Sequence, residues 1–123
     1  MPTNPLSTLY AMLRHPYVER AQLEAFQNAR LRRLVDHAYR HVSYYRELFD
    51  RHGLKPQDIR TVRDLAIVPI TTRSVFQALA VEGVVSGQVR PGSLITRSSS
   101  GSSGRPFIVR RTWLEERLHG ALR

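Results

Sequence analysis

The chain has 123 residues and a formal net charge of +9, from 19 basic and 10 acidic side chains. This length allows one domain or part of one. The absence of cysteine excludes disulfides, a thiol nucleophile and thiolate metal sites. No apolar run approaches the roughly 20 residues that span a bilayer, and the N-terminus lacks the regions of a secretory signal. We therefore expect a cytoplasmic protein with no membrane partner.

The first half of the sequence is predicted to be helical after a short arm. Residues 1–17 contain three prolines and form the predicted arm. From Val18 onwards, apolar residues recur three and four positions apart, which indicates a helix. Because Ser43 is a good N-cap, we expect two helices with a break near Val42. Gly53 is predicted to end the second helix.

Short elements are predicted in the middle of the chain. The segment from Thr61 to Asp64 fits a capping box and is expected to start a very short helix that ends near Ala66. Residues 67–70 are apolar but include a proline, which predicts an extended segment at a sheet edge.

A second set of short elements precedes the most informative segment. Thr72 is predicted to cap a helix that runs to about Ala80. Val84 and Val85 are expected to form a short strand. The residues RPGS at positions 90–93 are typical of a turn.

Two short strands are predicted on either side of a loop rich in serine and glycine. Residues 94–96 enter the loop and residues 107–109 leave it. The segment from Thr112 to Glu115 is another capping box. It opens an amphipathic helix that has not ended at Arg123, so we expect the chain to be truncated there.

The loop from Ser98 to Pro106 has the chemistry of an anion site. Its glycines allow the backbone to turn and approach a ligand closely. Successive amide groups can then converge on an anion, and the serine hydroxyls add donors. No acidic residue occurs between Gly83 and Leu114, whereas five arginines do, so this stretch should have a positive potential.

Known loop motifs limit the alternatives. The spacing of Gly101 and Gly104, followed by Arg-Pro, does not fit the P-loop of NTPases or a dinucleotide fingerprint. A flexible linker would have the same composition. The apolar β-branched runs beside the loop and the capped helix after it favour a binding loop over a linker.

Three segments of the sequence match known motifs: residues 34–46, LVDHAYRHVSYYR, residues 64–73, DLAIVPITTR, and residues 99–106, SSGSSGRP. The last of these looks like the first signature of the adenylate-forming superfamily. The first two are similar to AYxHVPYYR and DLxxLPxTTK, segments of the phenylacetate–CoA ligase family within that superfamily, so the chain resembles that family. The chain departs from these patterns at Ser43, Arg73 and Ser103, and the later motifs and the C-terminal domain are missing.

This resemblance implies the fold and the reaction of the complete enzyme. The fold class would be mixed α+β: an N-terminal helical segment and then a β-hairpin that carries a phosphate-binding loop, within the large N-terminal domain of an adenylate-forming enzyme. Residues 18–123 would be an incomplete part of that AMP-binding domain. The complete enzyme would join a carboxylate to AMP, release pyrophosphate and transfer the acyl group to coenzyme A.

The resemblance also implies a set of binding residues and ligands. ATP, Mg²⁺ and coenzyme A would serve the complete enzyme, with a small aryl or acyl carboxylate as substrate, and none would bind this chain tightly. No catalytic residue and no metal ligand is assigned. The residues expected to bind the ATP phosphates are Ser99, Ser100, Gly101, Ser102, Ser103, Gly104 and Arg105.

Two other functions fit parts of the sequence. A relative that acts in capsule or exopolysaccharide synthesis would carry the same segments, with an unknown acceptor. A basic module that binds nucleic acid would explain the charge, although positive charge alone says little about partners. Unpartnered apolar faces would in any of these cases favour self-association.

Other residues have structural explanations. His37 and His41 lie four apart on a helix and could share a metal, but no third ligand is evident. Three tyrosines, Tyr39, Tyr44 and Tyr45, have the spacing of packing residues rather than of a base-stacking platform. Glu115 and Glu116 are explained by the capping box and by the first turn of a helix.

Overall fold

The computed structural model describes residues 19–98, 106 and 108–121, so the predicted arm, residues 1–17, and the start of the first helix at Val18 lie outside the described residues. The described part is helical first and ends in a β-hairpin and a helix, which confirms the mixed α+β class. The helices are α1 (Arg20–His41), α2 (Ser43–Arg51), α3 (Arg73–Ala78), α4 (Val81–Val84) and α5 (Trp113–Ala121), and the strands are β1 (Ile95–Ser98) and β2 (Ile108–Arg111). Three 3₁₀ segments span Pro56–Asp58, Val62–Ile67 and Pro91–Ser93.

The break between α1 and α2 lies at Val42, as predicted. This residue is extended, with φ −121° and ψ 110°, and its side chain is buried. The prediction that Ser43 caps α2 is wrong, because Ser43 is already the first residue of the helix and no side chain caps it. Burial of the valine side chain places the extended residue one position earlier than the serine.

Gly53 ends α2 in the predicted manner. It has a φ of 64°, a left-handed conformation that glycine adopts without steric cost. The amide of the next residue, Leu54, donates to the carbonyl of Phe49 at 2.9 Å. The chain therefore reverses direction here and returns towards α1.

The core lies between α1, α2 and the 3₁₀ segment that follows them. Val35 from α1 and Phe49 from α2 pack around Ile59, which is fully buried. Side chains that pack against this cluster and are partly buried are Leu31, Tyr39, Leu54 and Val68. Several large apolar side chains elsewhere are exposed, Ile70 most of all at 94%.

The predicted capping box at Thr61 is present and starts the 3₁₀ segment Val62–Ile67. The Asp64 carboxylate accepts hydrogen bonds from the amide and the hydroxyl of Thr61, at 2.8 and 3.0 Å, and from the amide of Arg60 at 3.0 Å. These bonds hold the pKa of Asp64 below its usual value, the Thr61 amide being the largest cause. The next amide, that of Val62, donates to the side chain of Asn28 on α1 at 3.0 Å. The segment is thus fastened to the helical core by polar bonds.

Three predictions for the middle of the chain are wrong. Thr72 precedes α3, but its side chain makes no capping hydrogen bond, and the helix ends at Ala78, two residues before the predicted end. Val84 ends the short helix α4 instead of starting a strand, because the amides of Gly83 and Val85 donate to nearby carbonyls at 3.1 Å. Among the described residues, Ile67 belongs to a 3₁₀ segment and residues 68–70 join no sheet, so the predicted edge segment is not formed.

The last described elements are the hairpin and α5. The strands β1 and β2 pair antiparallel, one or two residues later than predicted, and α5 begins at Trp113 after the predicted capping box. Among the described residues, no helix combines the length and apolar character needed to cross a membrane.

Candidate functional site

The hairpin brings the two ends of the predicted loop together. Its last strand pair is Ser98 with Ile108, so the connecting residues start and finish on neighbouring strands. The predicted phosphate-binding residues, Ser99, Ser100, Gly101, Ser102, Ser103, Gly104 and Arg105, lie outside the described residues. Their role therefore stays a prediction, and the site is described through the residues at the two ends of the loop.

The exit of the loop is attached to α3. The side-chain amide of Gln77 donates a hydrogen bond to the carbonyl of Pro106 at 3.2 Å. This bond joins positions 29 apart in the sequence. Helix α3 therefore helps to fix where the chain leaves the loop.

The strand register separates the arginines of the hairpin onto two faces. Ile95 pairs with Arg111, and Arg97 pairs with Val109. Directly paired residues share a face of a sheet, and alternate residues along a strand do too. Arg97 and Arg111 therefore lie on one face, and Arg110 on the other.

Glu116 pairs with both arginines of the first face and offsets one of their two charges. One carboxylate oxygen accepts from Nε of Arg97 at 2.9 Å, and the other accepts from Nη1 of Arg111 at 3.3 Å. Hydrogen bonding to Arg97 and then to Arg111 holds the pKa of Glu116 below its usual value. A single carboxylate on α5 thus bridges both strands.

The capping box at Thr112 fixes the start of α5, and hence the direction of Glu116. The Thr112 amide donates to Glu115 at 2.7 Å, and the Glu115 amide donates back to the Thr112 hydroxyl at 3.3 Å. The predicted role of Glu115 is confirmed. The bridging role of Glu116 was missed by sequence reasoning, because only the strand register shows that residues 97 and 111 share a face.

The opposite face of the hairpin borders a cavity of about 370 Å³. Its walls are largely apolar, and Arg110 lies among them without an ion-pair partner in the described part of the chain. The lining residues are Phe76, Gln77, Leu79, Val84, Pro106, Ile108 and Arg110. Because Glu116 offsets only one of the two charges on the first face, each face of the hairpin keeps one net positive charge from these residues.

The two histidines considered as metal ligands lie together on α1. The ring centroids of His37 and His41 are 4.8 Å apart. The ring of His41 hydrogen-bonds the side-chain amide of Gln88, at 3.1 Å between nitrogens. Within the described ranges, no group of three or more potential ligands could hold a metal ion.

The tyrosines make packing contacts. Tyr44 hydrogen-bonds Thr71 at 2.8 Å and stacks at an angle against Phe76, with centroids 5.1 Å apart. Tyr39 donates to Asp50 at 2.8 Å, and this bond raises its pKa. Burial raises the pKa of Tyr45. The contacts of Tyr44 hold α3 against α2 and so place α3 beside the end of the loop.

Comparison with known proteins shows a resemblance to acid–CoA ligases. No protein-family model matches the chain. It is similar to the phenylacetate-coenzyme A ligases of Aromatoleum evansii, with 34% identity over 90 residues, Thermus thermophilus, with 33% over 103 residues, and Escherichia coli, with 34% over 96 residues. The matches cover 72%, 80% and 72% of the chain.

These matches confirm the resemblance to the phenylacetate–CoA ligase family predicted from three sequence segments. They cover only 20%, 22% and 20% of the relatives. The chain therefore spans about a fifth of the length of the curated relatives that it matches.

Proposed function

We propose that the chain is the N-terminal portion of an ATP-dependent acid–CoA ligase. The similarity to phenylacetate-coenzyme A ligases over 72–80% of the chain carries this proposal. The complete enzyme would activate a small aryl or acyl carboxylate as an acyl-adenylate, release pyrophosphate, and transfer the acyl group to coenzyme A. Residues 18–123 would form part of its AMP-binding domain, and residues 1–17 an arm.

In this proposal the hairpin presents the loop from Ser99 to Arg105 to the β- and γ-phosphates of ATP. Backbone amides and hydroxyls are suited to bind the phosphate oxygens. The contribution to the reaction would be positioning and stabilisation of charge. Strand pairing up to Ser98 and Ile108 supports this role, because it sets the separation of the loop ends.

The described residues beside the loop suit an anionic ligand better than a cation. Arg110 forms no ion pair among the described residues and lies on β2 opposite Thr96, two residues from the strand pair next to the loop. Magnesium prefers carboxylate and water oxygens, and we assign none of the described residues to it. When ATP is bound, it supplies the phosphoanhydride whose cleavage drives acyl activation.

The chain by itself is proposed to be inactive. One loop cannot enclose a nucleotide, so we expect weak binding of ATP or none. The exposed apolar side chains, such as Ile70 at 94% and Trp113 at 61%, would be covered in a complete enzyme and would promote self-association without it. Tight, magnesium-dependent ATP binding in isothermal titration would contradict this view.

A chimera tests the proposal directly. The matched segment of the Thermus thermophilus ligase is replaced by the corresponding segment of this chain, and phenylacetate-dependent release of pyrophosphate is measured. We expect activity, and a loss of about 10²-fold or more when Ser102 and Ser103 are both changed to alanine, the magnitude typical of removing donors to a developing charge.

The matched control changes two serines away from the loop, Ser86 and Ser93, to alanine in the same chimera. This control should retain activity. A folded chimera with no activity, or one that the loop substitutions leave unaffected, would reject the proposed function.

A further inference from the structure

Glu116 connects the two strands that hold the predicted loop. Its carboxylate lies 2.9 Å from Arg97 on the strand entering the loop and 3.3 Å from Arg111 on the strand leaving it. It stands on α5, a different element from both. One side chain therefore sets the distance of each strand from the same helix.

Part of this network is shielded from water. The side chains of Glu116 and Arg111 are 23% and 27% exposed, whereas that of Arg97 is 62% exposed. Fully exposed ion pairs contribute little because water and salt screen them. The pair of Glu116 with Arg111 is less screened, so it can hold α5 on β2 while Arg97 holds β1.

The other charged groups nearby are engaged elsewhere or do not contact Glu116. Glu115 accepts from Thr112, and the guanidinium of Arg117 lies 5.0 Å from the centre of the Trp113 ring. His119 is on the same helix, three residues later. Among the described residues, Arg97 and Arg111 are the only groups that form ion pairs with Glu116.

We infer that Glu116 is a positioning residue for the phosphate-binding loop, acting through Arg97 and Arg111 on the strands at its two ends. The inference rests on the proposed function of the loop. It assigns no contact between Glu116 and a ligand. Its effect is to hold both paired strands against α5 and so to fix the direction in which the hairpin presents the loop.

One substitution distinguishes a positioning role of Glu116 from a purely electrostatic one, because the two roles predict opposite changes in anion affinity. Glu116→Gln removes a negative charge close to the loop, which by Coulomb attraction alone would strengthen anion binding. Loss of the positioning contacts would weaken binding instead. The direction of the change in affinity therefore decides between the two.

The test uses the full chain with inorganic tripolyphosphate as the probe, followed by shifts of backbone amide resonances. We expect Glu116→Gln to weaken binding by about three- to tenfold, a range in keeping with the loss of partly exposed ion pairs. Arg111→Gln should weaken binding more than Arg117→Gln, its matched control. Each removes one positive charge close to Glu116, but only Arg111 contacts Glu116, whereas Arg117 lies over the Trp113 ring.

A pH titration of backbone amide resonances distinguishes a positioning role of Glu116 from a general contribution to stability. The Glu116 network should be intact above the usual pKa of a glutamate, about 4.5, and should be lost as the pH falls through the lower pKa of the folded state. The amide resonances of Ser98 and Ile108 should follow this titration, and Glu116→Gln should abolish it. Unchanged helical resonances would show that the variant is folded.

The outcomes separate this inference from the proposed function. Unchanged or tighter tripolyphosphate binding by Glu116→Gln would overturn the positioning role. If the parent chain itself shows no binding at the loop, the affinity comparison is made in the Thermus thermophilus chimera, where a folded but inactive protein would reject the proposed function of the loop. The titration of Ser98 and Ile108 then still decides whether Glu116 controls the strand ends, and its absence would overturn the inference.

Discussion

The helical half of the chain and the hairpin with α5 are held together by different interactions. In the helical half, Val35 and Phe49 enclose Ile59, which has no exposed surface. In the hairpin region, the residues that join β1, β2 and α5 are charged: Arg97, Arg111 and Glu116. The first region depends on apolar burial and the second on polar contacts.

This difference means that the two regions should respond to different perturbations. Apolar burial is insensitive to moderate salt and to protonation of carboxylates. Partly exposed ion pairs are screened by salt. Truncation of core side chains should therefore affect the helical half most, and salt or acid should affect the hairpin most.

Truncation of Phe49, a buried aromatic side chain of the core, should strongly destabilise the helical half. Phe49 is 3% exposed, so we expect Phe49→Ala to cost about 3–5 kcal/mol, the usual cost of a buried Phe→Ala change. Urea unfolding followed by circular dichroism at 222 nm measures this. Leu34→Ala, at a position 64% exposed on α1, is the control and should change stability by about 0.5 kcal/mol or less. Equal losses in the two variants would contradict the assigned core.

Removal of the Asp64 charge should have a smaller effect. Asp64→Asn weakens three hydrogen bonds that fasten the segment Val62–Ile67. Because the folded pKa of Asp64 is lowered from 3.8, its contribution is present above that value and is lost as the pH falls through the folded pKa. Thermal unfolding of parent and variant at several pH values measures this. Their difference should shrink in acid, and a difference that stays constant down to pH 2 would refute the assignment.

Replacement of glycine by alanine should have the smallest effect on the free energy of unfolding, and this effect should have opposite signs at two positions. Gly53 has a φ of 64°, and a methyl group added there would meet no other atom within 4 Å, so Gly53→Ala should destabilise the chain by about 1 kcal/mol through its backbone alone. Gly83 lies in α4, also in open space. There the same change should be neutral or stabilising, by up to about 1 kcal/mol. Chemical denaturation of both variants tests the contrast, which fails if they change stability in the same direction.

Local sequence signals predicted the ends of elements well. The stop at Gly53 and the capping boxes at Thr61 and Thr112 depend on residues a few positions apart. Their backbone conformations and hydrogen bonds follow from the side chains present. These features could therefore be predicted without knowledge of the tertiary structure.

Features that depend on distant partners could not be predicted in this way. Val84 and Val85 have the composition of a strand, but a strand needs a neighbour for its backbone groups, and local bonds satisfy them instead. The bridge from Glu116 depends on the register of two strands and on the placement of α5. The role of the loop residues in phosphate binding stays a prediction from the resemblance.

The contact between His41 and Gln88 bears on the order of folding. These side chains, which meet at 3.1 Å, are 47 positions apart in the chain, whereas the strand pairs of the hairpin span far fewer residues. Closing a longer loop costs more conformational entropy, although the cost rises slowly with length. Contacts between distant positions also form more slowly than local ones. We therefore expect the helical pair and the hairpin to form early and independently, with the junction at the end of α1 completed last.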